Sequence, residues 1–218
     1  MITAAAASLP RLFGADYSVY VRIVRLALAE KGIAYELVPV DVFAPAGLPA
    51  WYLERHPFGR IPAFEHSDIR LFETAAITRY IDEAYSGPAL QPAAPLQRAL
   101  MNQIIGILDA YAYRTMVWDI YVERVSKPKE GGTSDEETIR AAIPIAKICL
   151  DVLSDLKLEG AWLLGDQLTL CDLHAAPIFA YFVQASEGRR MLSDHPALSA
   201  WWENVSALPS FIATAPTS

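Results

Sequence analysis

The chain has 218 residues, enough for one large domain or two small ones, and is 53% hydrophobic and 20% charged, which reads as a globular protein with a substantial core. A net charge of −7 with no basic cluster argues against nucleic acid or an anionic membrane surface as the main partner. Cys149 and Cys171 sit in apolar, helix-like surroundings, and His56, His66, His174 and His195 are scattered. Neither set has metal-ligand spacing, so no metal site is expected, and two free thiols fit a reducing cytoplasm.

Residues 1–8 lack the basic flank and long apolar core of a signal peptide and read as a loose end. No run reaches transmembrane length without a charge or a breaker. Residues 9–13 read as a first strand ending at Gly14, and a helix follows from Ser18 to about Lys31. Val21, Val24 and Leu28 form one face of that helix, and Gly32 suits a left-handed stop. Residues 33–41 read as a second strand, with Pro39 placing it at an edge. Residues 44–50 hold two prolines and a glycine and read as loop, and residues 51–55 as a short helical turn. Residues 63–66 and 69–72 form a hairpin around Ser67-Asp68. Thr74 opens a helix to Tyr85, with Ile77, Tyr80 and Ile81 inward. The order is βαβ, a short helix, then ββα.

Residues 86–94 are a proline-rich linker. Beyond it no strand pattern recurs. Residues 96–125 read as one long helix, residues 127–134 as a polar mobile loop, and residues 136–156 as a second helix kinked at Pro144. In Thr169-Leu170-Cys171-Asp172, Asp172 is placed to reach back to the Thr169 N–H in a capping box, and a helix starts there. A last helix begins at Asp194-His195-Pro196 and carries Trp201 and Trp202, and Leu208-Pro209 closes the ordered part.

One stretch has chemical meaning. His56-Pro57-Phe58-Gly59-Arg60-Ile61-Pro62 precedes the hairpin, and Glu73-Thr74 follows it. Pro62 cannot donate to a ladder, so it marks a rigid turn at a strand entry, compatible with a cis peptide. Such a turn directs the Ile61 N–H and C=O outward. The first N–H groups of the helix at Thr74 lack internal partners and favour an anion. A carboxylate docked on Thr74, beside an ammonium held by Glu73, describes the two charges of an amino acid.

These residues resemble the glutathione-binding half of the cytosolic glutathione transferases, in particular serine-type, theta/phi-like bacterial members. The resemblance covers roughly residues 10–210. It implies an α/β thioredoxin-like amino-terminal domain (9–85), a linker (86–94) and an all-α carboxy-terminal bundle (95–212). It also implies glutathione as co-substrate, no metal and a homodimer, with Ile61-Pro62 pairing with the cysteinyl backbone and Glu73-Thr74 holding the γ-glutamyl end. Arg60 stands where the family often has a residue that reaches the glycine carboxylate. Gly165 to Asp172 matches the family's buried capping motif, with Cys171 where Ala is usual. His56 stands where Asn is commoner.

Glutathione needs its thiol, ordinarily near pKa 8.5, stabilised as thiolate. Ser18, at the start of the first helix, suits a hydroxyl donor aimed at sulfur and matches the family's serine position; an ordinary N-cap is the alternative. Tyr17 is the rival donor, since some classes use a tyrosine. Tyr111, Tyr113, Met116 and Trp118 are candidates for an apolar electrophile pocket, or else core. The expected activity is attack of the thiolate on a hydrophobic electrophile, in detoxification or small-molecule metabolism. Glutathione-dependent peroxidase, dehalogenase or isomerase chemistry shares the first step. A non-catalytic binding or scaffold protein is a further alternative.

Overall fold

The computed structural model of the chain describes residues 9–217; the expectation of a loose amino terminus falls on residues outside that range. The described residues form two compact units, one of residues 9–88 with 213–217, the other Ala89–Ile212.

In the first unit the elements are β1 (Arg11–Phe13), α1 (Val19–Glu30), β2 (Glu36–Val38), α2 (Ala50–Leu53), β3 (Ala63–His66), β4 (Ile69–Phe72) and α3 (Thr74–Ala84). The sheet order is β2-β1-β3-β4, with β1 parallel to β2 and antiparallel to β3. This is the thioredoxin-like order. The strand with Pro39 just beyond it is an edge strand, as its composition requires, but it is shorter than residues 33–41. Gly32, at φ 67, ends α1, and Ile33 donates its N–H back to Leu28, so the chain becomes extended only near Glu36.

Side chains alternate across a strand. On one face, Leu12 and Phe64 have no exposed surface, and α1 packs on α3, where Ile23, Val24, Ile77 and Ile81 are equally enclosed. Burying each such side chain stabilises by about 1.5–3 kcal/mol. A nearly enclosed ion pair, Lys31 to Asp82 at 2.8 Å, links α1 to α3. On the other face the register makes two rows across four strands. One is Glu36–Arg11–Glu65–Arg70, alternating in charge; the other is Val38–Phe13–Ala63–Phe72. Arg55 closes the charged row on Glu65 at 3.0 Å. A one-residue slip would break every opposite-charge pair of that row and invert both faces.

The chain does not finish at Pro209. Helix α10 (Pro209–Ala213) follows, and the tail joins the first unit: Arg25 donates to the Thr214 carbonyl at 3.1 Å, and the Thr217 N–H donates to Asp16 at 3.0 Å. Hydrogen bonds formed by a few residues so far along the chain leave no local pattern in sequence.

The second unit is helical. Helix α4 (Pro95–Ile107) runs without a break into a π-helical stretch, Leu108–Ser126, and then α5 (Lys127–Lys129). Residues 127–129, read as loop, therefore extend the helix, because Lys127 pairs with Glu123 one turn back. Buried Leu108, Ala112, Met116 and Ile120 recur every four residues along the π-wound stretch. α6 (Glu136–Leu156) and α7 (Leu170–Phe182) pack on it. The start of α6 is held by its cap Asp135, which accepts from the Glu137 and Thr138 N–H groups, while Arg124 bridges Glu136 and Glu187. α6 carries Pro144 inside it. α8 (Ser186–Ser193), not separated in the sequence reading, precedes α9 (Pro196–Ser206).

Helix α7 is apolar all round and buried almost throughout, the mark of a central helix. Its one carboxylate, Asp172, has no exposed surface. One oxygen accepts from the Leu163 N–H at 2.8 Å and the Trp201 indole N–H at 2.9 Å; the other accepts from the Thr169 N–H at 2.9 Å and hydroxyl at 2.8 Å. Burial pushes its pKa up, and these donors pull it back. Both cysteines are free and buried.

Candidate functional site

The row Val38–Phe13–Ala63–Phe72 decides where the site lies. β3 runs against β1, and β4 against β3. Residues after Phe13, before Ala63 and after Phe72 therefore leave the sheet at the same end. These are the loop to Ser18, the Ile61–Pro62 step, and Glu73-Thr74. Strands lie about 4.8 Å apart, so the exits of β1 and β4 are roughly 10 Å apart. An extended tripeptide spans about the same distance.

The β1–α1 loop and Ile61 approach closely at Gly14. A Cβ there would lie 2.3 Å from Val21 Cγ2 and 3.2 Å from Ile61 Cβ, so only glycine fits. Ser18 is the N-cap of α1, and its hydroxyl accepts from the Val21 N–H at 3.4 Å. A hydroxyl that accepts keeps its own proton to donate. Among the described residues Ser18 gives it to nothing.

Tyr17 is engaged differently. Its hydroxyl donates to Asp41 at 3.3 Å and its ring stacks on Phe43. Burial, then the Asp41 charge, raises its pKa. A second negative charge beside Asp41 would be opposed, so the surroundings of Tyr17 disfavour a thiolate.

The Ile61–Pro62 peptide is cis. The Ile61 main chain forms no hydrogen bond among the described residues. Just before it, the Arg60 carbonyl accepts from the Tyr52 hydroxyl at 2.5 Å. Tyr52 is wholly buried, and burial raises its pKa. Sequence reading missed this anchor; an aromatic in a short helix gives no sign of a bond eight residues away. The Arg60 side chain is exposed.

Glu73 sits at φ 70 and ψ 112, a region a non-glycine residue enters at a cost of about 1–3 kcal/mol. It is exposed and accepts no cap bond with its side chain. Its carbonyl takes the N–H groups of Ala76 and Ile77. The N–H groups of Thr74 and Ala75 remain for a ligand at the positive end of α3. Thr74 is 7% exposed.

The four residues expected in the electrophile pocket do not behave alike. Met116 has no exposed surface and belongs to the core of the helical unit, a correction that follows from its place on the buried four-residue repeat. Tyr111 is 60% exposed, and Tyr113 and Trp118 are half-buried. A cavity of about 330 Å³ lined by Leu9, Arg11, Glu36, Glu65 and Ser67 lies toward the opposite end of the sheet from these exits. No group of His, Cys, Asp and Glu among the described residues is arranged to hold a metal ion.

Comparison with known proteins agrees with this architecture. Residues 12–89 match the family model for the glutathione S-transferase N-terminal domain, and residues 111–209 that for the C-terminal domain. Glutathione S-transferase F7 of Arabidopsis thaliana is 30% identical over 202 residues, covering 92% of this chain and 96% of that protein. The crystal structure of glutathione transferase F7 from Populus trichocarpa superposes with a TM-score of 0.82 at 30% identity, covering 94% of this chain and 97% of that one. Glutathione S-transferase I from maize, in complex with an atrazine glutathione conjugate, gives 0.82 at 27% identity, covering 95% and 96%. A thioredoxin-like unit joined to a helical one defines the class. The chain belongs to the glutathione S-transferase family.

Proposed function

We propose that the protein is a glutathione transferase that binds glutathione across one end of the sheet and presents its thiolate to a hydrophobic electrophile. The carrying observation is the convergence, over roughly 10 Å, of a hydroxyl donor, an unpaired main-chain step and an acidic residue at a helix start. Each suits one part of the tripeptide. Glu73 holds the γ-glutamyl ammonium, while Thr74 and the free N–H groups of α3 take the adjoining carboxylate. The Ile61 N–H and C=O pair with the cysteinyl main chain. Arg60, exposed beside Ile61, serves the glycine carboxylate.

Ser18 then lies toward the sulfur. Its hydroxyl proton, together with the N-terminal end of α1, stabilises the thiolate. The thiol proton leaves to solvent, and the thiolate attacks an electrophilic carbon by substitution or addition. Glutathione is the co-substrate; no resident cofactor enters the reaction. Tyr111, Tyr113 and Trp118 keep accessible surface and remain candidates for electrophile contact. No helix among the described residues is long and apolar enough to cross a membrane; a cytoplasmic location is the expected one. A homodimer is the expected assembly.

Isothermal titration of the wild type and Glu73→Ala with S-methylglutathione tests this placement. The wild type should bind, and the variant should bind at least about tenfold more weakly, the range for a charge-assisted contact. No binding by the wild type would favour a scaffold role. Equal binding by both would remove Glu73 from the site.

A further inference from the structure

His56 stands at the end of the turn after α2 and is 2% exposed. Its Nδ1 is shut off from solvent and has no hydrogen-bond partner among the described residues. A buried polar nitrogen left unpaired calls for a reason. The imidazole ring lies 5.0 Å from the ring of Phe72 and 6.3 Å from that of Phe58, and those two rings are 6.2 Å apart. Phe72 is the last residue of β4 and directly precedes Glu73. The imidazole therefore props the step at which the backbone turns into its positive-φ conformation.

Two charged groups face the ring from outside its own turn. The Glu73 carboxylate, at the start of α3, favours a charged imidazole, and Arg60, before β3, opposes it. Arg55, its neighbour in sequence, is engaged with Glu65 and lies over the Phe13 and Trp51 rings. Burial is the strongest influence and holds the His56 pKa below its ordinary value near 6.5. At neutral pH the ring is uncharged, and the Glu73 charge is left to the ligand.

We propose that His56 is a positioning residue for the Glu73 carboxylate: uncharged, it supports the Phe72–Glu73 step, and protonated, it competes with the ligand's ammonium for that same carboxylate. This rests on the placement of the γ-glutamyl ammonium at Glu73. Glutathione affinity then weakens as pH falls through the His56 titration, below about 6.5. Linkage requires the converse: bound ligand must disfavour the protonated ring.

S-Methylglutathione, which has no ionisable thiol, isolates the effect. Its affinity is measured by titration calorimetry between about pH 5 and pH 7 for the wild type, His56→Asn and His56→Gln. The wild type should lose up to about fivefold more affinity across this range than either variant, the scale of a single pair with an exposed carboxylate. In the wild type, the NMR titration midpoint of the His56 ring should move down when the ligand is added. The same pH dependence in all three proteins, or an unmoved midpoint, overturns the proposal while leaving the glutathione site intact. Failure of the wild type to bind at neutral pH overturns both. If the variants do not fold, the NMR midpoint decides alone.

Discussion

Replacing Ser18 by alanine removes two interactions whose sizes can be told apart. The first is the N-cap bond to the Val21 N–H. At 3.4 Å it is long, so its loss costs at the low end of the capping range, about 0.5 kcal/mol. The second is the hydroxyl donated to sulfur. A hydrogen bond to a charged group contributes about 1.5–3 kcal/mol. One pKa unit corresponds to about 1.4 kcal/mol, so the bound thiol should become less acidic by roughly one to two units. With the thiol returned toward its ordinary value near 8.5, the thiolate population at neutral pH, and turnover with 1-chloro-2,4-dinitrobenzene, should fall about 8- to 25-fold. KM for glutathione should change less than about threefold, because on the proposed placement binding rests on Glu73, Thr74 and Ile61. Ser18→Thr keeps both the cap and the donor and should recover most of the loss. The assay is steady-state conjugation against pH, with the ultraviolet absorbance of bound thiolate followed in parallel. Ser18→Ala turnover within about twofold of wild type, or lost turnover with an unshifted thiol titration, would refute the reasoning. Tyr17→Phe, which loses the bond to Asp41 and not the thiol donor on this reading, should stay near wild type.

Glu73→Gly should separate stability from binding. Relief of the positive-φ strain, less the greater freedom of an unfolded glycine, should stabilise by about 1 kcal/mol and raise Tm by roughly 2–4 °C, while KM for glutathione rises. Calorimetric melting and steady-state kinetics read the two effects; a lowered Tm would mean that the backbone at Glu73 is not strained. Asp172→Asn places an amide against the Thr169 donors that now face Oδ2. It should destabilise by about 2–4 kcal/mol and lower Tm by roughly 5–15 °C, seen in thermal melts by circular dichroism. The Asp16 pKa is lowered, chiefly by the Thr217 hydroxyl. A depressed carboxylate stabilises above its unfolded pKa and loses that contribution as pH falls through the folded value. Protection of the tail from carboxypeptidase or hydrogen exchange should thus decline below about pH 4 and be insensitive to pH near neutrality.

Much of the first unit was legible because its signals are local. Period-two apolar runs, Gly32 and Pro39 mark strands and stops within a few residues of their effects. The Ser18 cap and the Asp172 box are equally short-range: both bonds close within three residues. Other contacts were invisible for the opposite reason. Tyr52 finds the Arg60 carbonyl only because α2 is folded back over the turn, and Thr217 meets Asp16 across 201 positions. For Met116 the two readings, pocket or core, stayed open because an apolar residue at helical spacing can do either; in the structure it is enclosed. Its neighbours in space decide which.

The amino-acid order alone thus carried the thioredoxin-like pattern, the two-part chain and the candidates proposed to recognise an amino acid's charges. Tertiary structure decided that these residues meet. Strand register carries the exits of β1, β3 and β4 to one end of the sheet, and a buried imidazole comes to support the step before Glu73. The physical reason is range: propensity, capping and turn chemistry act over a few residues, whereas a binding site is a coincidence of distant segments that only the packed core enforces.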